Sequence, residues 1–138
     1  MNTESVILEL QRATHATLQL ITTELVDLDL TASEINALGN LADGVPRTVS
    51  ELGAAVGSRP TTLTGILDRL ERRGLITRGA RPGDRRAVLI ELTPDGTGTA
   101  ALIRQRLRDL EQRALAGVPA DTVAAARAVL RALTEAGR

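Results

Sequence analysis

Arg59, Thr61, Thr62, Thr64 and Arg69 fall within one short helical pattern, and Arg81, Asp84, Arg85 and Arg86 crowd the Pro82-Gly83 turn that follows. A guanidinium is a planar, permanently charged fork of N–H donors that fits phosphate oxygens and the O6/N7 edge of guanine. A threonine offers a hydroxyl to a base edge or phosphate, and a methyl to the thymine methyl. This is the chemistry of non-covalent recognition of a polyanion. Each group has a plainer reading beside it: the threonines cap a helix, Arg69 makes an intrahelical contact, and the arginine run is an exposed charged turn.

The elements needed to position these groups can be read around them. Ser58 stands where an N-cap would open the helix, with Pro60 in its first turn. Leu63, Ile66, Leu67 and Leu70 make its apolar stripe, and Gly74 stops it. Upstream, Thr31-Ala-Ser-Glu34 and Thr48-Val-Ser-Glu51 have capping-box spacing and open two short helices, the second turning at Gly57. Downstream, residues 75–78 and 87–92 read as strands joined by the Pro-Gly turn. Helix, glycine turn, helix, strand, arginine-rich turn, strand is the order of a winged helix-turn-helix. The first turns of its second helix point at base edges in the major groove.

Charge follows the same plan. Residues 57–87 hold eight arginines against three acids, a local net of +5, whereas residues 1–56 carry −6 and residues 88–138 carry +1. A formal net charge of zero therefore hides a polarised molecule with one basic module, as a phosphate-binding surface requires. Lysine is absent, so arginine supplies every basic group; a codon bias toward Arg and Ala explains that equally well.

Flanking the module are helical patterns over residues 4–28, 94–116 and 119–136. Thr93 is the N-cap and Pro94 the N1 residue of the second of these. Ile7, Leu10 and Leu18 line the first; Leu102, Ile103, Leu107 and Leu110 the second; Val123, Leu130 and Leu133 the third. These apolar stripes need a partner, and a second copy of the chain is the economical one. Ile7, Leu10, Leu107, Leu110, Leu130 and Leu133 are accordingly candidate dimer contacts. The expected fold is mainly α (α+β), with residues 31–93 as the DNA-binding domain and residues 1–30 and 94–138 as a dimerisation region.

Composition removes several alternatives. The chain has no Cys and only His15, so thiol chemistry, disulfides and ordinary zinc sites are out, and no metal or cofactor is expected. There is neither a glycine-rich phosphate loop with its lysine nor a Ser/His/Asp arrangement, so an enzyme is not expected. Phe, Tyr and Trp are all absent, which disfavours single-stranded RNA binding by ring stacking and leaves the core to Leu, Ile, Val and Ala. Neither a signal peptide nor a membrane-length apolar run is visible, so the expected partner lies in the cytoplasm rather than in a membrane. His15 reads as packing or interface.

Taken in order, Leu70-Glu-Arg-Arg-Gly-Leu-Ile76, Asp84-Arg-Arg86 and Leu92-Thr-Pro-Asp-Gly96 resemble the MarR family of bacterial transcription regulators, and the resemblance extends over nearly the whole chain. It implies a homodimer that binds a palindromic operator in double-stranded DNA, generally as a repressor, and that in many members lets go when a small molecule binds between the dimerisation and DNA-binding parts. It also implies that Arg86 enters the minor groove, that Asp84 holds the loop, and that Arg81 and Arg85 touch phosphates. Gly65 departs from the family pattern, which often has a polar or basic residue there. The alternative function is a winged-helix module that binds protein and not DNA.

Overall fold

The two capping boxes form as their spacing predicts. The Thr31 hydroxyl accepts from the Glu34 amide at 3.2 Å while the Glu34 carboxylate accepts from the Thr31 amide at 3.1 Å. Thr48 and Glu51 repeat the exchange, both bonds at 3.1 Å. Each pair satisfies two amides that a helix start leaves without partners. The computed structural model describes residues 4–81 and 83–138, without the side chains of residues 81 and 84–87.

Helix α1 spans Val6–Glu24 and is followed by a 3-10 turn at Val26–Leu28. Helix α2 covers Ala32–Leu41, strand β1 Arg47–Thr48, helix α3 Val49–Val56 and helix α4 Pro60–Arg72. Strands β2, Ile76–Arg81, and β3, Asp84–Leu92, form the wing, and helices α5, Pro94–Ala114, and α6, Ala120–Ala136, complete the chain. The fold is a mostly helical winged helix with a small antiparallel sheet of order β1-β3-β2. Ile76 faces Leu92 and Arg78 faces Ile90 across the wing, and Ile90 also faces Arg47 of β1.

Several local expectations are corrected. The N-cap of α4 is Arg59, in extended conformation and with no side-chain capping bond, not Ser58. The first helix ends at Glu24, where the 3-10 turn takes over, and α5 stops at Ala114. Leu102, expected inward, is exposed, because its neighbour Ile103 takes the buried position. Strand β1 has only two residues, too short for a period-2 pattern to announce it.

The chain divides into two compact units, residues up to Leu107 and residues from Arg108 onward. In the first, α4 buries Leu63, Ile66, Leu67 and Leu70 against Leu38 of α2 and Leu52 of α3, all essentially free of solvent. Each such side chain contributes about 1.5–3 kcal/mol on leaving water. The start of α5 is welded to the same core. Thr93 donates from its hydroxyl to the Gly74 carbonyl at 2.6 Å and from its amide to the Leu75 carbonyl at 3.0 Å, while its hydroxyl accepts from the Gly96 amide at 3.0 Å. A Cβ on Gly96 would fall 1.8 Å from the Leu75 carbonyl oxygen. The glycine is what lets helix and strand backbones approach so closely. In the second unit, α6 buries none of its residues.

Candidate nucleic-acid interface

Helices α3 and α4 are joined through Gly57, whose φ of +70° is a left-handed conformation that glycine adopts without a Cβ penalty. The inner stripe of α4 is locked in the core, so its remaining face is fixed outward. Arg59, Thr61, Thr62 and Thr64 are all exposed on its first two turns. Among the described residues, the Thr61 and Thr62 hydroxyls have no hydrogen-bond partner. Thr64 donates to the Pro60 carbonyl at 2.9 Å and keeps its acceptor lone pairs. A helix end with fixed donors, one guanidinium and three hydroxyls can read base edges and phosphates.

The basic module is not uniformly available. Arg78 on β2 reaches back to α4, donating to Asp68 at 2.7 Å and to Glu71 at 3.0 Å. That bond holds the Glu71 carboxyl below its ordinary value and, with Asp68, raises Arg78 above its own. Two acids that would repel phosphate are thereby neutralised. Arg73 donates to the carbonyls of Leu28 and Asp29 at the end of the 3-10 turn, which anchors the end of α4. Asp29 is the only non-glycine residue with positive φ among those described. Arg69 lies 3.8 Å from Glu34, the one buried charged side chain among the described residues. Arg72 donates to the Asp68 carbonyl at 3.3 Å and stays exposed.

The wing hairpin closes with Arg81 opposite Asp84. The backbone of Arg81, Asp84, Arg85 and Arg86 lies in β2 and β3, and their side chains lie outside the described residues. Of the candidate dimer contacts, Ile7 and Leu130 are exposed, while Leu10, Leu107, Leu110 and Leu133 are half-buried. His15 is exposed on α1. Sequence reasoning did not find the structural duties of Arg73 and Arg78. Their partners lie across tertiary contacts, and nothing in the local sequence separates them from outward arginines.

The family model described as MarR family matches residues 28–87, from the 3-10 turn to the wing. Over 114 residues the chain is 34% identical to the multiple antibiotic resistance protein MarR of Salmonella typhimurium, spanning 82% of this chain and 79% of that protein. The chain belongs to the MarR family. Among solved MarR-family structures, the apo form of wild-type MarR from Escherichia coli matches with a TM-score of 0.79 and 26% identity, over 96% of this chain and 98% of that one. BpsR of Bordetella bronchiseptica, whose DNA binding is regulated by 6-hydroxynicotinic acid, matches with a TM-score of 0.79 and 26% identity, over 97% and 96%. This MarR-family chain is thus a DNA-binding regulator of transcription. Among the described residues, no helix is long and apolar enough to cross a membrane.

Proposed function

We propose that two copies of the chain form a homodimer that represses transcription from a palindromic operator and releases it when a small molecule binds. The observation that carries this is the outward set Arg59, Thr61 and Thr62 on a helix whose opposite face is buried. In a symmetric dimer the two α4 helices read half-sites roughly 10 bp apart, centre to centre. Arg86 at the wing tip enters the adjacent minor groove, where narrow A·T-rich DNA concentrates negative potential. Arg81 and Arg85 lie along phosphates, and Asp84 steadies the loop.

The second copy is supported by the flanking helices. Neither α1 nor α6 buries a residue, yet Ile7, Leu18 and Leu130 lie exposed on them. Residues 1–30 and 94–138 form the dimerisation region in this reading, and residues 31–93 the DNA-binding domain. Regulation of BpsR by 6-hydroxynicotinic acid supports release by a ligand. The relatives are regulators, so no reaction is assigned to the chain. An operator on the chromosome places its action in the cytoplasm.

The test is selection of bound fragments from random duplex DNA, with the mass of the complex measured and affinity followed against salt. An inverted repeat bound by two subunits, with affinity falling steeply as salt rises, is the expected result. A single subunit indifferent to every duplex at low salt overturns the proposal.

A further inference from the structure

The turn between α1 and α2 is gripped by two arginines from distant segments, all within the unit that ends at Leu107. Leu25 is buried in the core and Leu28 packs against it. The 3-10 turn that joins them is closed by the Leu28 amide on the Leu25 carbonyl at 3.0 Å. Asp29 then takes a φ of +53°, a left-handed conformation that a residue with a Cβ keeps only when its surroundings impose it.

Arg106 of α5 donates to both carboxylate oxygens of Asp27, one of them at 2.7 Å, and to the Glu24 carbonyl at 3.3 Å. That carbonyl is among those that the end of α1 leaves without a helical partner, and α1 has no basic residue in its own last turn. Arg73, the C-cap of α4, donates to the Leu28 carbonyl at 3.1 Å and to the Asp29 carbonyl. Through neighbouring residues of one turn, α5 is therefore tied to the C-terminal end of α4.

Apolar packing alone leaves the crossing angle of a helix free over about 15–20°. A planar guanidinium fork is more exacting, because its bonds weaken steeply as they bend. At about 1.5 Å rise per residue, α4 carries its first residues roughly 20 Å from Arg73. A tilt of about 5° at the anchored end moves the reading end by roughly 2 Å, more than a hydrogen bond to a base edge tolerates.

We propose that Asp27, Arg73 and Arg106 are positioning residues for operator recognition: they clamp the turn between α1 and α2 and thereby set the tilt at which α4 presents Arg59, Thr61 and Thr62. This rests on the reading of α4 as the DNA-reading helix and adds to it three residues that act without touching a base. Asp27 and Arg106 belong to the flanking regions 1–30 and 94–138 and Arg73 to residues 31–93, so the clamp is a fixed link across that boundary.

The test compares the operator selected from random duplex with an unrelated duplex of equal length, over a salt series. The proteins are the full chain, Asp27→Asn, Arg106→Gln, their combination, Arg73→Gln and Arg73→Lys, at a temperature where circular dichroism shows each to be folded. Each of Asp27→Asn, Arg106→Gln and Arg73→Gln is expected to lower operator affinity at least five-fold. Binding to the unrelated duplex should stay within two-fold of the unaltered chain, with an unchanged salt slope. Combining Asp27→Asn with Arg106→Gln should cost no more than the worse of the two, since both open one contact. Arg73→Lys should recover part of the loss, because an ammonium still donates to carbonyls. Losses shared equally by both duplexes, or unchanged operator affinity in Asp27→Asn and Arg106→Gln, overturn the proposal. A salt slope smaller by about one in Arg73→Gln also overturns it, because Arg73 is then a phosphate contact. Should Arg73→Gln not fold, Asp27→Asn and Arg106→Gln decide the question, since they open a partly exposed pair that adds little to stability. A full chain that selects no duplex sinks the regulator reading; one that does, with variants that match it, sinks only this proposal.

Discussion

Arg69 and Glu34 meet between α4 and α2, with Nε 3.8 Å from Oε1, the carboxylate side chain 4% exposed and the arginine 46% exposed. The same Oε1 accepts from the Thr31 amide, so this carboxylate serves a cap and a tether together. Burying a carboxylate is costly unless it is paired and hydrogen-bonded, and here it is both. The Arg69 guanidinium lies beside Gly65 one turn earlier, where a Cβ would meet it at 3.7 Å, in ordinary van der Waals contact. If Arg69 acts mainly as a tether, Arg69→Ala and Glu34→Gln will be non-additive in operator affinity. A double-mutant cycle should give a coupling of about 0.5–3 kcal/mol. Additive losses, with a salt slope reduced by about one in Arg69→Ala, would instead make Arg69 a phosphate contact.

Arg59 and Thr62 should act base by base. Arg59→Ala or Thr62→Ala is expected to cost about 1–3 kcal/mol on the cognate operator and to relax preference at particular positions. Binding to a panel of single-base operator variants checks this. A loss equal on all sequences would reassign either residue to the phosphate backbone.

Gly96 sets the seat of α5. Gly96→Ala would drive a methyl into the Leu75 carbonyl, a backbone atom that cannot swing aside. The expected destabilisation is about 1–3 kcal/mol or more, read from urea melts. The neighbouring change Gly98→Ala, where a Cβ meets nothing within 4 Å, should be neutral or mildly stabilising and serves as the control.

The dimer contacts are best probed where the single chain does not need them. Leu107 packs against the core, so a charge there would harm folding as well as assembly. Ile7 and Leu130 are 57% and 45% exposed. Ile7→Glu with Leu130→Glu should leave helicity intact, shift the mass in sedimentation from two subunits to one and remove tight operator binding. A double variant that remains dimeric moves the interface elsewhere.

Acid should weaken the fold below about pH 4.5. Arginine bonds lower three carboxyls: Asp43 through Arg47, Asp27 through Arg106 and Glu71 through Arg78, from ordinary values of 3.8, 3.8 and 4.5. A folded-state pKa below the unfolded one gives stability that is present above the unfolded pKa and lost as pH falls through the folded one. Melting temperature should hold through neutral pH and decline from about pH 4.5 downward. Asp43→Asn should begin lower at pH 7 and decline less steeply in acid. These are exposed pairs, so each effect is modest and shrinks with added salt.

The sequence by itself determined the starts of α2 and α3, the recognition stripe and the order helix-turn-helix-wing. Those features are written in local chemistry: a threonine three residues before a glutamate, leucines at helical spacing, a glycine where φ must turn positive. Tertiary structure alone decided which arginines are free to face a ligand. Arg73 finds its carbonyl partners 44 and 45 residues away, Arg78 closes on Asp68 from another element, and Arg69 leans on Glu34 across two helices. The same holds for the close approach of Gly96 to Leu75 and for the place of β1 beside β3. A guanidinium reaches any carboxylate or carbonyl that folding brings near, so its role depends on contacts between segments that no spacing along the chain encodes.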